Sequence, residues 1–147
     1  MEQRAGWVAA TEAEIDQILA KAKNIAIVGL SKDPGKASYR IASYLQDAGY
    51  RIIPVNPNAE GAILGEQVYH SLSEVPGPID LVDVFRPARD ALEIARETAK
   101  RGVPTIWYQL ECASGEAVKE AVNEGLCVIQ NRCLMVEHRR YAHGRGR

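Results

Sequence analysis

The sequence predicts a doubly wound α/β domain: a mostly parallel sheet of five strands with helices on both faces, in three layers. Three observations predict it. Short runs rich in β-branched residues alternate with segments of helical period, the pattern of βαβ units. The runs are apolar on successive residues, as in Ile25-Ala26-Ile27-Val28, which marks strands covered on both faces. Gly49, Gly102 and Gly125 each close a helical segment. At 147 residues the chain fits one domain, residues 1–147, with a core of its own.

A leading helix over residues 11–23 opens on Thr11 and Glu14, a capping-box pair, with Ile15, Ile18, Leu19 and Ala22 on one face. The first strand covers residues 24–29 and a loop covers 30–36. A helix over 37–48 follows, burying Ile41, Tyr44, Leu45 and Ala48. The second strand is 51–55, where Pro54 removes a donor and weakens pairing. Residues 62–78 read as irregular, with a helical turn near 71–74. The third strand, 81–85, leads to Pro87, which suits the first position of a helix ending at Gly102. The fourth strand is 103–108, a helix capped by Ser114 runs to Glu124, and the fifth strand is 126–130. A last helical turn begins at Leu134, and residues 141–147 read as a frayed tail.

The formal net charge of −1 gives no bulk attraction to nucleic acid or to an anionic membrane. Cys112, Cys127 and Cys133 lack the spacing of a zinc site or a disulfide framework, so they read as reduced thiols in a cytoplasmic protein. The first eleven residues lack the basic start and apolar run of a signal peptide. No apolar stretch reaches the ~20 residues of a membrane span.

In open parallel sheets the ligand lies beyond the carboxyl ends of the strands. The residues there are 29–36, Asn56-Pro57, Phe85-Arg86-Pro87, 109–111 and Asn131-Arg132-Cys133. The first loop carries the strongest signal. Between a buried strand and a helix start it offers backbone N–H groups to an anion. Ser31 and Ser38 add hydroxyls, and Lys32, Lys36 and Arg40 add positive charge suited to phosphates. It is not a nucleotide-hydrolysing P-loop, because five residues separate Gly29 from Gly35 and Ala37 stands where a magnesium-binding Ser or Thr is needed. Nor is it GxGxxG, and Asn56 replaces the acid that holds a dinucleotide ribose.

The turn Gly29-Leu30-Ser31, the run from Gly49 to Pro57, Val82-Asp83-Val84-Phe85-Arg86-Pro87 and the run from Asn131 to Glu137 together resemble the stand-alone bacterial CoA-binding domain proteins. These are similar to the N-terminal CoA-binding domain of the succinyl-CoA synthetase α subunit. The resemblance covers residues 15–140 and implies a Rossmann-like fold with coenzyme A or an acyl-CoA as ligand. It implies that Gly29, Ser31 and the helix start near Ser38 hold phosphates, with Lys32 or Lys36 adding charge. Asn56 and Pro57 border the adenosine end, Phe85, Arg86 and Pro87 flank the nucleotide or the pantetheine arm, and Asn131, Arg132 and Cys133 line the far side. The synthetase also uses a phosphorylatable histidine on a second domain and a nucleotide-binding subunit. The expectation here is therefore CoA binding without a reaction of its own.

Other residues read as structure. Asp83, inside an apolar strand, calls for a paired partner or a place near the ligand end, and reads as paired. Cys133 reads as a small half-buried residue, Cys112 and Cys127 as filler and core, and Trp107 and Tyr108 as core. His70 reads as a turn residue, and His138 and His143 as part of a basic tail without metal-ligand spacing. No motif marks a general acid, base or nucleophile. The alternatives are an NAD(P)-linked enzyme, an acyl-CoA enzyme subunit needing a partner chain, or an interaction protein; a homodimer fits a lone doubly wound domain.

Overall fold

The structure, a computed structural model, describes residues 6–145. In chain order it contains β1 (Trp7–Val8), α1 (Glu12–Lys21), β2 (Asn24–Val28), α2 (Ala37–Asp47), β3 (Arg51–Val55), β4 (Ala62–Ile63), β5 (Glu66–Gln67), β6 (Leu81–Val84), α3 (Ala91–Arg101), β7 (Thr105–Tyr108), α4 (Gly115–Asn123), β8 (Cys127–Gln130) and α5 (Leu134–Arg145). Short 3₁₀ turns lie at Leu72–Glu74 and Ala88–Asp90. One parallel sheet runs in the order β1-β8-β7-β6-β2-β3. The chain steps outward from β2 to β3, then returns past β2 to β6 and builds the other way. Strand order therefore reverses between β2 and β6. The layers are α/β/α, Rossmann-like, as the sequence predicts.

Successive apolar residues serve two cores. Ile25 and Ile27 of β2 join Ile15 and Leu19 of α1, Ile41 and Leu45 of α2, and Leu134 of α5. Ala26 and Val28 face the opposite way, toward Ile94 and Ala95 of α3 and Ala117 and Ala121 of α4. Each large side chain so buried contributes about 1.5–3 kcal/mol. Thr11 and Glu14 form the capping box, and Ser114 Oγ accepts from Ala117 N–H at 3.1 Å. No helix among the described residues is long and apolar enough to cross a membrane.

Four features differ from the sequence reading. The sheet has six strands, not five: Trp7–Val8 adds at the edge of β8, too short to show a period. Gly6 permits it, because a Cβ there would lie 2.2 Å from the Val122 carbonyl oxygen. Pro54 does not weaken its strand. Its carbonyl points outward and accepts from Tyr69 N–H at 3.0 Å, so the missing donor also faces away from β2. The irregular segment contains the hairpin β4–β5, whose turn places Leu64 at φ 53° and Gly65 at φ 78°. The turn at Leu134 continues as α5 to Arg145. His138 anchors it, 7% exposed, among the rings of Tyr44, Tyr50 and Tyr141. Tyr44 Oη lies 2.7 Å from His138 Nδ1, and burial holds that imidazole below its ordinary pKa. Arg140 adds an ion pair to Asp16 of α1 at 2.7 Å.

Candidate functional site

Beyond the carboxyl ends of β2 and β6, at the reversal of strand order, two loops part. The first leaves β2 at Gly29, whose φ is 92°. A Cβ there would lie 3.2 Å from the Phe85 carbonyl carbon and oxygen and 3.1 Å from Arg86 Cδ. Both conformation and space demand glycine. The loop then holds its own shape. Ser31 N–H donates to Ser38 Oγ and Asp33 N–H to Ser31 Oγ, each at 3.0 Å, and Gly35 N–H donates to Asp33 Oδ1 at 2.9 Å. Arg40 folds back, donating from Nη1 to the Gly35 carbonyl at 2.6 Å.

The helix that follows starts open. α2 has no side-chain cap at Lys36 and no acidic residue in its first turn. The first N–H groups of a helix have no intrahelical partner, and the helix dipole makes this end positive. Lys32 and Lys36 are exposed beside it. The arrangement suits a phosphate.

On the other face of the sheet's end lies a cavity of about 280 Å³. Val28, Val55, Leu72 and Ile94 give it an apolar floor; Pro57, His70, Ser71, Arg86, Asp90, Glu93 and Glu97 surround it. It is smaller than the usual pocket of a drug-sized ligand and suits one end of an extended molecule. Arg86 Nη2 donates to Asp90 Oδ2 at 2.9 Å, which keeps the guanidinium at the rim. Burial, and then the charge of Glu93, push the Glu97 carboxyl up. Among the other hollows, one of about 320 Å³ lies between Trp7, Ile18, Asp80 and Thr105, and one of about 400 Å³ adjoins the cavity beside α3, sharing Ser71, Leu72, Glu93 and Glu97 with it and reaching Arg96 and Arg101. We place the candidate site at the carboxyl ends, because the open helix start, the lysines and the strand reversal coincide there.

The predicted residues divide. Gly29, Ser31, Lys32, Lys36 and Ser38 gather at the first loop and the start of α2, and Pro57 and Arg86 line the cavity. Phe85 is half-buried against the core on the α2 side, and Pro87 is exposed at the start of a 3₁₀ turn rather than at the first position of α3. Arg40 and Asn56 bind the protein itself. Asn56 Nδ2 donates to the Leu30 carbonyl at 2.9 Å and its Oδ1 accepts from Asn58 N–H at 2.8 Å, so it clamps the ends of β2 and β3 together. Arg132 turns away to the N-terminal segment, donating to the Ala10 carbonyl at 3.0 Å and pairing with Glu137 at 3.4 Å. Asn131 Oδ1 accepts from Glu111 N–H at 3.2 Å, and Cys133 packs against the core. His70 lies at the cavity, bonded to the Ala59 carbonyl and to Glu60, each at 3.1 Å. The reading of the sequence missed His70, Glu93 and Glu97 as lining residues. Glu93 and Glu97 stand one turn apart on α3 after Arg86, which was the available signal.

The profile of the CoA binding domain family matches residues 23–139. Uncharacterized protein YneT of Bacillus subtilis (strain 168) is 41% identical over 128 residues, covering 87% of this chain and 94% of that protein. The ADP-forming acetate–CoA ligase II of Archaeoglobus fulgidus is 34% identical over 83 residues, which is 55% of this chain but 12% of the ligase. Among solved structures, a hypothetical protein from Pyrococcus horikoshii OT3 superposes with a TM-score of 0.88 at 34% identity, over 91% of this chain and 94% of its own. The apo dinucleotide forming acetyl-coenzyme A synthetase 1 of Ca. Korarchaeum cryptofilum gives a TM-score of 0.62 at 27% identity, over 72% of this chain and 25% of that one. With a profile matched over most of its length and a relative matched nearly end to end, this chain belongs to the CoA-binding domain family and is related to acetyl-CoA synthetase subunits.

Proposed function

We propose that the chain binds coenzyme A or an acyl-CoA across the carboxyl ends of β2 and β6, without a reaction of its own. One arrangement carries this reading: a helix start without a side-chain cap, beside Lys32 and Lys36, and a small apolar-floored cavity lie at the same end of the sheet on its two faces, with Gly29 against Arg86 between them. A phosphorylated adenosine carrier matches both, with anions for the helix start and a flat base for the cavity. In this reading the N–H groups at the start of α2 and the hydroxyls of Ser31 and Ser38 meet phosphate oxygens. Val28, Pro57 and Arg86 border the base, and Phe85 and Pro87 flank the chain leaving toward Asn131 and Cys133. Arg40, Asn56 and Arg132 shape the loops instead of touching the ligand, since each donates to a backbone carbonyl, whereas Ser31 and Ser38 only accept from backbone and keep their O–H donors. The family match supports the ligand class.

Thermal unfolding tests this. A ligand that binds only the folded state raises the melting temperature in proportion to its occupancy. CoA is expected to raise it, and dephospho-CoA to raise it less. A flat response to CoA and to acyl-CoAs at millimolar concentration would refute the proposal.

A further inference from the structure

The cavity at the carboxyl ends is bordered on one side by α3, and two acids of that helix line it without a partner. Glu93 and Glu97 stand four residues apart, and among the described residues no hydrogen bond or ion pair reaches either. Acids on a helix are ordinary where basic neighbours pair with them, and α3 has such neighbours. Arg101 follows Glu97 by four residues, the favourable order for an ion pair, and Arg96 follows Glu93 by three. Both turn elsewhere. Arg96 pairs with Glu120 of α4 at 3.6 Å. Arg101 donates to the Val75 carbonyl at 2.9 Å and to the Gly77 carbonyl. Like charges at this spacing destabilise a helix. The fold nevertheless keeps the two carboxylates at the cavity wall and directs the nearby cations away from it.

The rest of the rim is also rich in acceptors. Arg86, which lines the cavity, is engaged with Asp90. His70 Nε2 lies 3.1 Å from the Ala59 carbonyl oxygen. A carbonyl only accepts, so Nε2 carries a hydrogen, and the neutral ring leaves Nδ1 as an acceptor. Below these groups the floor is apolar, made by Val28, Val55, Leu72 and Ile94. A flat ring with a hydrogen-bond donor on its edge matches this combination, and an anion does not.

Orientation follows from the other face of the sheet. With phosphates at the start of α2, the sugar end of a base in the cavity faces Gly29 and Pro57, and its opposite edge faces α3. In adenine that edge carries the 6-amino group, with two N–H donors. Four residues of helix rise about 6 Å. Two acceptors that share one amino group lie about 5 Å apart at ordinary hydrogen-bond length. We infer that Glu93 and Glu97 determine specificity: their carboxylates accept from the 6-amino group of the ligand's adenine and so select an amino-bearing base. The inference rests on the CoA reading and adds to it the group by which the base is recognised. Hydrogen bonds to ionised acceptors are stronger than neutral ones, and a donor held between the two acids also offsets their repulsion.

Calorimetry with CoA and with 1,N6-etheno-CoA tests this. The etheno ring closes the amino nitrogen and removes its N–H donors. The native protein is expected to bind CoA at least about tenfold more tightly than the etheno analogue, the size of a hydrogen bond to a charged group. The double variant Glu93→Met/Glu97→Met keeps the length of both side chains and removes the acceptors. Its preference is expected to fall to about twofold or less, chiefly because CoA binds more weakly, while the melting temperature of the free protein holds or rises as the like-charged pair is lost. A preference that comes only from the bulk of the etheno ring would persist in this variant. Equal binding of the two ligands by the native protein, or a native-sized preference in the folded double variant, overturns the inference and leaves the proposed function standing. A native protein that binds neither ligand refutes the proposed function, and this inference falls with it.

Discussion

The two loops that frame the mouth carry similar sequence signals and do different things. Residues 29–40 and residues 131–133 both follow a buried strand, and both offer polar and cationic side chains just before a helix. In the first, the loop satisfies itself through Ser31, Asp33 and Arg40 and leaves the start of α2 and two lysines open. In the second, Asn131 and Arg132 are engaged with Glu111, Ala10 and Glu137. A cationic residue after a strand is a ligand candidate only if its own chain leaves it free. The first loop leaves a helix start and two lysines open, as the proposed binding requires; the second is a strap that holds α5 and the N-terminal segment to the sheet.

The largest expected effect falls where the first loop touches Phe85. Gly29→Ala combines a left-handed backbone with a crowded Cβ and should cost roughly 2–4 kcal/mol in urea unfolding, with loss of CoA-induced stabilisation. A native midpoint would show that the two loops do not meet as described.

The next effect concerns pH. Asp83 is raised from 3.8 to about 7 in the folded protein, so the folded state holds a proton that the unfolded state releases between those values. Its contribution is fully present below about pH 4 and is lost as pH rises through about 7. His138 acts in the opposite sense, since burial lowers its pKa and its contribution is lost as pH falls. The difference between native and Asp83→Asn isolates the first group: the variant should gain on the native protein steadily from pH 4 to 7, by urea unfolding at each pH. A constant difference would mean that Asp83 titrates in the folded protein as it does in the unfolded chain.

Smaller effects separate the two loops. The double variant Lys32→Ala/Lys36→Ala should bind CoA about tenfold more weakly by calorimetry, with stability within ~0.5 kcal/mol of native. Arg132→Ala should reverse the pattern, with stability lower by about 1 kcal/mol and affinity changed less than about twofold. Equal affinity losses in both would erase the distinction between receiver and strap.

Much of this was legible in the sequence, and the reasons are local. The capping box at Thr11 and Glu14 and the glycines at 49, 102 and 125, all at positive φ, act over a few residues. The successive apolar residues of β2 and β6 report burial on both faces. The pairing expected of Asp83 exists, with Gln109, although one oxygen is left over. What stayed hidden depends on contacts far apart in sequence. Trp7–Val8 is a strand only because β8 lies beside it. Leu64 stands in a left-handed turn, and its carbonyl accepts from Gln46 Nε2 at 3.0 Å, a contact eighteen residues away in sequence. His138 looked like part of a polar tail because its cage comes from Tyr44 and Tyr50, about ninety residues earlier. The same distance hid the engagement of Arg132 with Ala10.

The central claim is where the ligand sits, and amide chemical-shift mapping during a CoA titration tests it most directly. The account predicts the largest shifts at residues 29–39 and around the cavity at Val28, Pro57 and Arg86, with smaller ones at 131–133. Shifts centred instead on Trp7, Ile18, Asp80 and Thr105, at the amino ends of the strands, would contradict it.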